Sequence, residues 1–258
     1  MTAQQSSSIY AQLSPSGTQH VVALSGGKDS TAMALRLSEV EPRDYTFVCT
    51  PTGNEPDEMF EHWRKLGDLL GKPILQVTAP GASSLVSLIV AQQALPNVWQ
   101  RWCTRMLKIE PYAAWLIKQS PCISYVGLRA DEPDREGGDY LSIPGIVSDF
   151  PMRRWGWGLK EVLSYLDSRG VKIPKRTDCK LCFFQRLIEW WELWRDDPEA
   201  WAQGEALEEY AGHTFRSPSR DTWPASMKGL RARFEAGDIP RETRKDPTNE
   251  LKCRVCRL

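Results

Sequence analysis

At 258 residues with 41% hydrophobic content, the chain has room for one large α/β core and an appendage and is not a disordered or fibrous polymer. Its 33 basic and 33 acidic residues cancel, so global charge singles out neither nucleic acid nor an anionic surface as partner. No stretch approaches a bilayer span and the first seventeen positions show no secretory pattern, so no membrane partner and a cytoplasmic, reducing setting are expected; seven cysteines there point to metal, cluster or sulfur chemistry.

Residues 1 to 17 read as a polar leader. The first organised stretch, His20 to Leu24, is an apolar run that leads into Ser25-Gly26-Gly27-Lys28-Asp29-Ser30 and then Thr31 to Leu37. That order predicts strand, glycine loop, helix. Paired glycines let the backbone approach a ligand closely, and the amides opening the next helix can converge on one phosphate. Lys28 adds a point charge, and the hydroxyls of Ser25, Ser30 and Thr31 add donors. Asp29 is a carboxylate suited to Mg2+ or to capping the helix. The plainer reading of the same residues is a Gly-Gly turn with an Asp or Ser cap.

Tyr45 to Thr50 predicts a second strand, followed by the loop Pro51-Thr-Gly-Asn-Glu-Pro-Asp-Glu58 and an amphipathic helix from Met59 to Leu70. This loop falls where open α/β sheets bind ligands, at a strand's carboxyl end. A third strand is expected over Lys72 to Val77 and a helix over Ala82 to Ala94. Arg101, Arg105 and Lys108 then share one face of a helical turn beside Cys103 and Thr104. Neighbouring cations favour a thiolate, which makes Cys103 a candidate nucleophile; a basic surface turn with a buried cysteine is the alternative. Pro121 to Val126 predicts the fourth strand. Its exit loop, Gly127 to Arg135, carries Arg129 and Arg135, whose planar guanidinium forks suit oxyanions. An extended piece over Ser142 to Val147 and a helix from Gly158 to Gly170 follow.

Two CxxC pairs, Cys179 with Cys182 and Cys253 with Cys256, stand seventy residues apart and together supply four soft ligands, as Zn2+ or a [4Fe-4S] cluster requires. Either pair alone also suits a redox dithiol. Between them Trp190, Trp191, Trp194 and Trp201 recur at helical spacing, a stripe that docks the appendage on the core or stacks on nucleobases. Charge swings locally: Glu189 to Glu209 holds eight acidic residues against Arg195, and Arg220 to Leu258 ten basic against six acidic, the pattern of solvated helix faces.

The six-residue glycine loop resembles the SGGxDS pyrophosphate loop of the adenine nucleotide alpha hydrolase superfamily. Four ordered motifs over about residues 18 to 182 resemble its phosphoadenosine phosphosulfate (PAPS) reductase-like family. Thr52, Gly53, Glu55 and Glu58 match a DTGxExPE-like segment, with Pro51 in place of its first Asp. Arg101-Trp-Cys103-Thr104 with Lys108-Ile-Glu-Pro111 matches RxCTxxxKxxP, and looks particularly like the ATP pyrophosphatase of DNA phosphorothioation systems. Arg129, Glu132 and Arg135 match GxRxxES...R, with Pro133 for Ser. Pro151, Trp155 or Trp157, Val162 and Tyr165 loosely match a packing element.

The resemblance implies a doubly wound parallel sheet in a nucleotide-binding domain over 1–175 and a helical, Cys-rich domain over 176–258. It implies ATP with Mg2+ at Ser25, Gly26, Gly27, Lys28, Asp29, Ser30, Thr52, Gly53, Glu55, Arg101, Arg129 and Arg135. The catalytic parts would be Lys28, Asp29, Cys103, Lys108 and Arg129. A [4Fe-4S] cluster, with Zn2+ as the alternative, would sit on Cys179, Cys182, Cys253 and Cys256. The implied activity is AMP-forming: an acceptor oxygen attacks the α phosphorus, pyrophosphate leaves, and sulfur from a cysteine desulfurase or another donor displaces AMP. Nucleic acid is the candidate acceptor. A reductase of sulfonucleotides using a cysteine thiolate, with Cys256 near the terminus as one candidate, and a nucleotide sensor or scaffold without turnover are the alternatives. Intact Lys28, Gly26 and Gly27 favour the first reading, because a departing pyrophosphate needs its charge neutralised.

Overall fold

The computed structural model describes residues 17–81, 84–135 and 143–241. Five parallel strands form its sheet: β1 (Gln19–Ala23), β2 (Tyr45–Cys49), β3 (Leu75–Gln76), β4 (Cys122–Tyr125) and β5 (Ile146–Asp149), in the order β3-β2-β1-β4-β5. The expected doubly wound α/β fold is the one observed. β1 lies at the centre, pairing Val22 with Phe47 on one side and with Tyr125 on the other. Its alternation then fills two cores. Val22 and Leu24 join Met33, Leu37, Phe47, Ile123 and Val162 on one face, and Val21 joins Val48, Leu116, Cys122 and Ile146 on the other.

The helices are α1 (Lys28–Val40), α2 (Asp57–Leu70), α3 (Leu85–Gln92), α4 (Trp102–Thr104), α5 (Glu110–Lys118), α6 (Pro151–Arg154), α7 (Leu159–Ser168), α8 (Leu187–Asp196), α9 (Pro198–Ala211) and α10 (Met227–Glu235). Most boundaries follow the sequence signals. α2 ends at Gly71, whose φ of 66° is the left-handed cap that glycine adopts without penalty. Three elements depart from expectation. β3 shrinks to two exposed residues because it is the sheet edge and has one neighbour, at Val48 and Cys49. The extended piece near residue 145 is a full partner of β4, running to Asp149. The turn carrying Arg101 to Lys108 is not one regular helix, since α4 gives way to a π turn over Arg105–Ile109.

Trp155, Trp157, Val162 and Tyr165 pack against the first of these cores, as their motif suggested. Trp190 and Trp201 are buried with Phe215, Met227, Leu230 and Phe234, and Trp191 and Trp194 lie partly buried against them. The same cluster takes in Leu85, Leu88 and Ile89 of α3 and Leu107 of the π turn, so α8, α9 and α10 dock on the sheet domain through the tryptophan stripe. The stripe is therefore core, and its rings are not a stacking surface. Among the described residues, no helix is long and apolar enough to cross a membrane.

Candidate nucleotide site at the carboxyl edge of the sheet

In the strand order, connections from β1 run outward in opposite senses, to β2 on one side and eventually to β4 on the other, so a crevice opens between the exits of β1 and β4. The loops that fill it are Ser25 to Gly27 and Val126 to Arg135. The second meets the first turn of α1 backbone to backbone. A Cβ on Gly127 would lie 3.1 Å from the amide nitrogen of Ser30 and 3.2 Å from its Cα, which explains glycine there without any φ requirement.

The glycine loop is built from three directions. Gly26 has a φ of 84°, and a Cβ on it would meet Trp63 Nε1 at 2.6 Å and the Met59 terminal methyl at 2.8 Å. Trp63 Nε1 donates to the Ser25 carbonyl at 3.2 Å, so α2 fixes the loop from behind. Ser25 Oγ lies 3.0 Å from Ser30 Oγ and accepts the Gly27 amide at 3.3 Å. Gly27 is the N-cap of α1 and provides no side-chain cap. The Asp or Ser capping expected as the plainer reading is absent because Asp29 turns inward, to Arg129, and Ser30 donates to the Gly27 carbonyl. First-turn amides uncapped by a side chain are the feature that anion sites share.

Arg129 is the hub. Its side chain is 3% exposed, and it reaches Asp29 at 3.1 Å, Asp131 at 2.8 Å and Glu132 at 3.2 Å. Arg135 pairs with Glu132 at 2.7 Å, while Arg153 donates to the carbonyls of Glu132 and Arg135. Burial raises the Asp29 pKa, against the opposing pull of Lys28, 3.6 Å away, and Arg129. Asp131 also accepts the Leu159 amide at 2.9 Å, tying the β4 exit loop to the start of α7.

On the other side of the glycine loop, Glu55 does not face outward. It is buried, and its carboxylate accepts the Thr52 amide and hydroxyl, both at 2.7 Å, and the Asn54 amide at 3.2 Å. Gly53, at φ 68°, and Glu58 are exposed. Thr52 Oγ1 contacts Cys179 Sγ at 3.1 Å. Asn54 accepts the Lys180 amide on its carbonyl at 2.7 Å and the Leu181 amide on Oδ1 at 3.0 Å. The first CxxC turn is thus stapled to the loop that follows β2. Asn54 was missed as more than a turn former, because no local pattern marks a contact 127 residues away. Replacing Asn54 by Ala is expected to leave the Leu181 amide unpaired and loosen the turn, at a cost of about 1–3 kcal/mol. Native-state labelling of Cys179 and Cys182 by a thiol reagent should accelerate at least about tenfold; an unchanged rate would show that the staple is dispensable.

Cys103 does not have the activated thiol its neighbours suggested. Burial pushes its pKa up, and this outweighs the Thr104 hydrogen bond and the charges of Lys108 and Arg101. Arg105 points away, exposed, to Glu110 at 3.4 Å, and Arg101 stacks its guanidinium 5.3 Å from the centroid of the Phe184 ring. Lys108 lies close enough to Cys179 to act on it electrostatically. Burial pushes the Cys179 thiol up to about 11 and Cys182 well above its usual value. Two adjacent buried thiols fit a metal that binds thiolates, and they provide half of a four-cysteine set. Cys253 and Cys256 lie outside the described residues, and no group of three or more metal-binding side chains occurs among the described ones.

A parallel sheet with an uncapped, lysine-bearing glycine loop facing an arginine-bearing loop across its switch point defines an α/β protein of the nucleotide-binding kind. The family model of the phosphoadenosine phosphosulfate reductase domain matches residues 19–176, more than half of the chain, which therefore belongs to that family. A crystal structure of phosphoadenylyl-sulfate (PAPS) reductase from Candida auris, a phosphate complex, is similar with a TM-score of 0.48 and 15% identity, covering 67% of this chain and 82% of that one. No curated protein matches the sequence.

Proposed function

We propose that the chain is an AMP-forming ATP pyrophosphatase that adenylates an acceptor for sulfur transfer, with nucleic acid as the candidate acceptor. The observation that carries this reading is the start of α1, where the N-cap Gly27 offers no side chain to the first-turn amides and the partly buried Lys28 follows at once. Thr31 Oγ1, in the same turn, is buried without a partner among the described residues. Such a loop neutralises a pyrophosphate, and the need is greatest as the bond to the α phosphorus breaks and charge moves onto the leaving group.

In this reading the acceptor hydroxyl attacks the α phosphorus, its proton passes to solvent, and the bond to the bridging oxygen of pyrophosphate breaks. The Gly26 amide, the first-turn amides of α1, Lys28 and the Ser25 and Ser30 hydroxyls hold the departing group. The outer sulfur of a persulfide donor then attacks the adenylated centre and AMP leaves; a thiol reductant cleaves the acceptor–donor disulfide so formed, leaving the acceptor thiolated and carrying the donor sulfur away in a new disulfide. Mg2+ would reach the protein through Asp29, the carboxylate beside Lys28, and when bound it neutralises phosphate oxygens. Arg129 holds Asp29 in place, and Arg135 stands at the loop's outer end as an oxyanion contact. A cluster or Zn2+ on Cys179, Cys182, Cys253 and Cys256 would supply structural or electron-transfer chemistry.

A reductase using a described cysteine needs a thiolate, and burial of Cys103 opposes one. The discriminating measurement incubates the purified protein with ATP, an oligonucleotide and a persulfide donor, and separately with a phosphosulfate nucleotide and a dithiol reductant. AMP and pyrophosphate in equal amounts from the first mixture are expected. Sulfite from the second, with no AMP from the first, would replace this reading with the reductase, and ATP binding without products would replace it with a sensor.

A further inference from the structure

Trp99 is 93% exposed, the most exposed large apolar side chain among those described, and Val98 beside it is 56% exposed. The ring is not on a slack segment. Asn97 Oδ1 accepts the amides of Trp99 and Gln100, both at 2.9 Å, and the Asn97 amide donates back to the Gln100 carbonyl at 3.2 Å, so a closed turn presents the indole to solvent. Holding an indole in water forfeits the burial that Trp190 and Trp201 obtain.

The surroundings are cationic and aromatic together. Two residues on, Arg101 lies over Phe184, which is itself partly exposed and has its ring centroid 4.4 Å from that of the buried, tilted Phe183 ring. Arg220, exposed, donates to the Phe183 carbonyl at 3.3 Å and brings a second guanidinium to that corner from a distant part of the chain. Arg105 is exposed one turn further along. The acidic residues close by are engaged, Glu110 by Arg105 and Asp221 by Arg216. Arg101 and Phe184 thus meet two residues from the Trp99 turn, with Arg220 held on the backbone of Phe183 beside them, so three separate stretches, 97–105, 183–184 and 220, bring rings and positive charge to one region. It adjoins the nucleotide loops, because the turn bearing Cys179 to Phe184 is the one stapled to Thr52 and Asn54.

We propose that Trp99, with Arg101, Phe184 and Arg220, is the docking surface for a single-stranded nucleic acid: an unpaired base stacks on the indole while the arginines track its phosphates. Rings offer a stacking face that any base can use, and guanidinium groups suit phosphate oxygens. A second copy of this chain or an acidic protein would lack the aligned bases that such an exposed ring rewards. The inference extends the proposed function by naming where its acceptor binds, yet it can fail separately.

The test measures anisotropy of labelled single-stranded oligonucleotides on the full chain at several salt concentrations. Trp99→Ala is expected to weaken binding about tenfold or more, and Trp99→Phe to retain most of it. Arg220→Gln should weaken all sequences alike and lower the salt slope by about one. Equal affinity of wild type and Trp99→Ala, absence of oligonucleotide binding, or a wild-type dimer that Trp99→Ala dissociates would each overturn the proposal. Lys28→Ala tells the two inferences apart, since it should slow AMP formation about 10²-fold or more and keep oligonucleotide affinity.

Discussion

Replacing Lys28 by Ala is expected to lower the rate of pyrophosphate release by about 10²-fold or more, with a smaller change in KM for ATP. The split follows from where the ammonium acts. In the proposed reaction the tail would share its ground-state charge with solvent and Mg2+, whereas in the transition state additional charge would accumulate on the departing group at the start of α1, so the loss should fall chiefly on kcat. Folding should survive, because the Lys28 side chain is partly solvent-accessible and its one described ion pair, with Asp29 at 3.6 Å, is long. Lys28→Arg should recover part of the rate, since the charge returns on a bulkier group in a tight loop. Single-turnover measurements of AMP and pyrophosphate with matched thermal melts check all three expectations. An unaltered rate in the Ala variant would remove Lys28 from the chemistry, and with it the main reason for preferring pyrophosphate departure.

What the sequence disclosed divides by the distance over which a signal acts. Strand, glycine loop and helix around Gly26 and Gly27 are local, and hydrophobic alternation with loop residues was enough to place them. The same holds for the tryptophan stripe, whose spacing matched burial at Trp190 and Trp201. Side-chain direction was not legible. Glu55 and Arg129 both sit at strand exits, where composition suggests outward contacts, yet Glu55 turns in to satisfy the Thr52 and Asn54 amides and Arg129 gathers three carboxylates. Cys103 shows the same difference in electrostatics. Neighbouring cations could be counted from the sequence, but the larger effect, burial against the α8–α10 layer, depends on residues about 90 positions away. The Asn54 staple and the Trp99 corner join distant stretches, so no window of residues could reveal them.

Truncating Arg129 to Ala is expected to destabilise the fold by about 3–5 kcal/mol at neutral pH, the largest stability effect of any single substitution at the site. The reason is the asymmetry of buried ion pairs. The guanidinium is almost wholly enclosed, as are its partners Asp29 and Glu132, at 7% and 9% exposure. Removing it leaves buried Asp29 with only the long Lys28 pair, while Glu132 keeps Arg135 and Asp131, nearly half exposed, can turn to water. Lysine at this position offers one ammonium in place of a fork and should rescue only part of the loss. The pH dependence fixes the cause. Asp29 already has a raised pKa from burial, so the folded state holds its proton more tightly than the unfolded chain, and stability from this group is lost as pH rises through that raised value. Without Arg129 one of the influences lowering that pKa disappears and the rise grows. The deficit of Arg129→Ala should therefore shrink as pH is lowered through the raised Asp29 value, where that carboxyl takes up its proton. Adding Asp29→Asn to Arg129→Ala should recover stability at high pH. Urea unfolding of the single and double variants across that pH window decides the matter: a deficit independent of pH and untouched by Asp29→Asn would mean that lost packing, not unbalanced charge, makes Arg129 necessary.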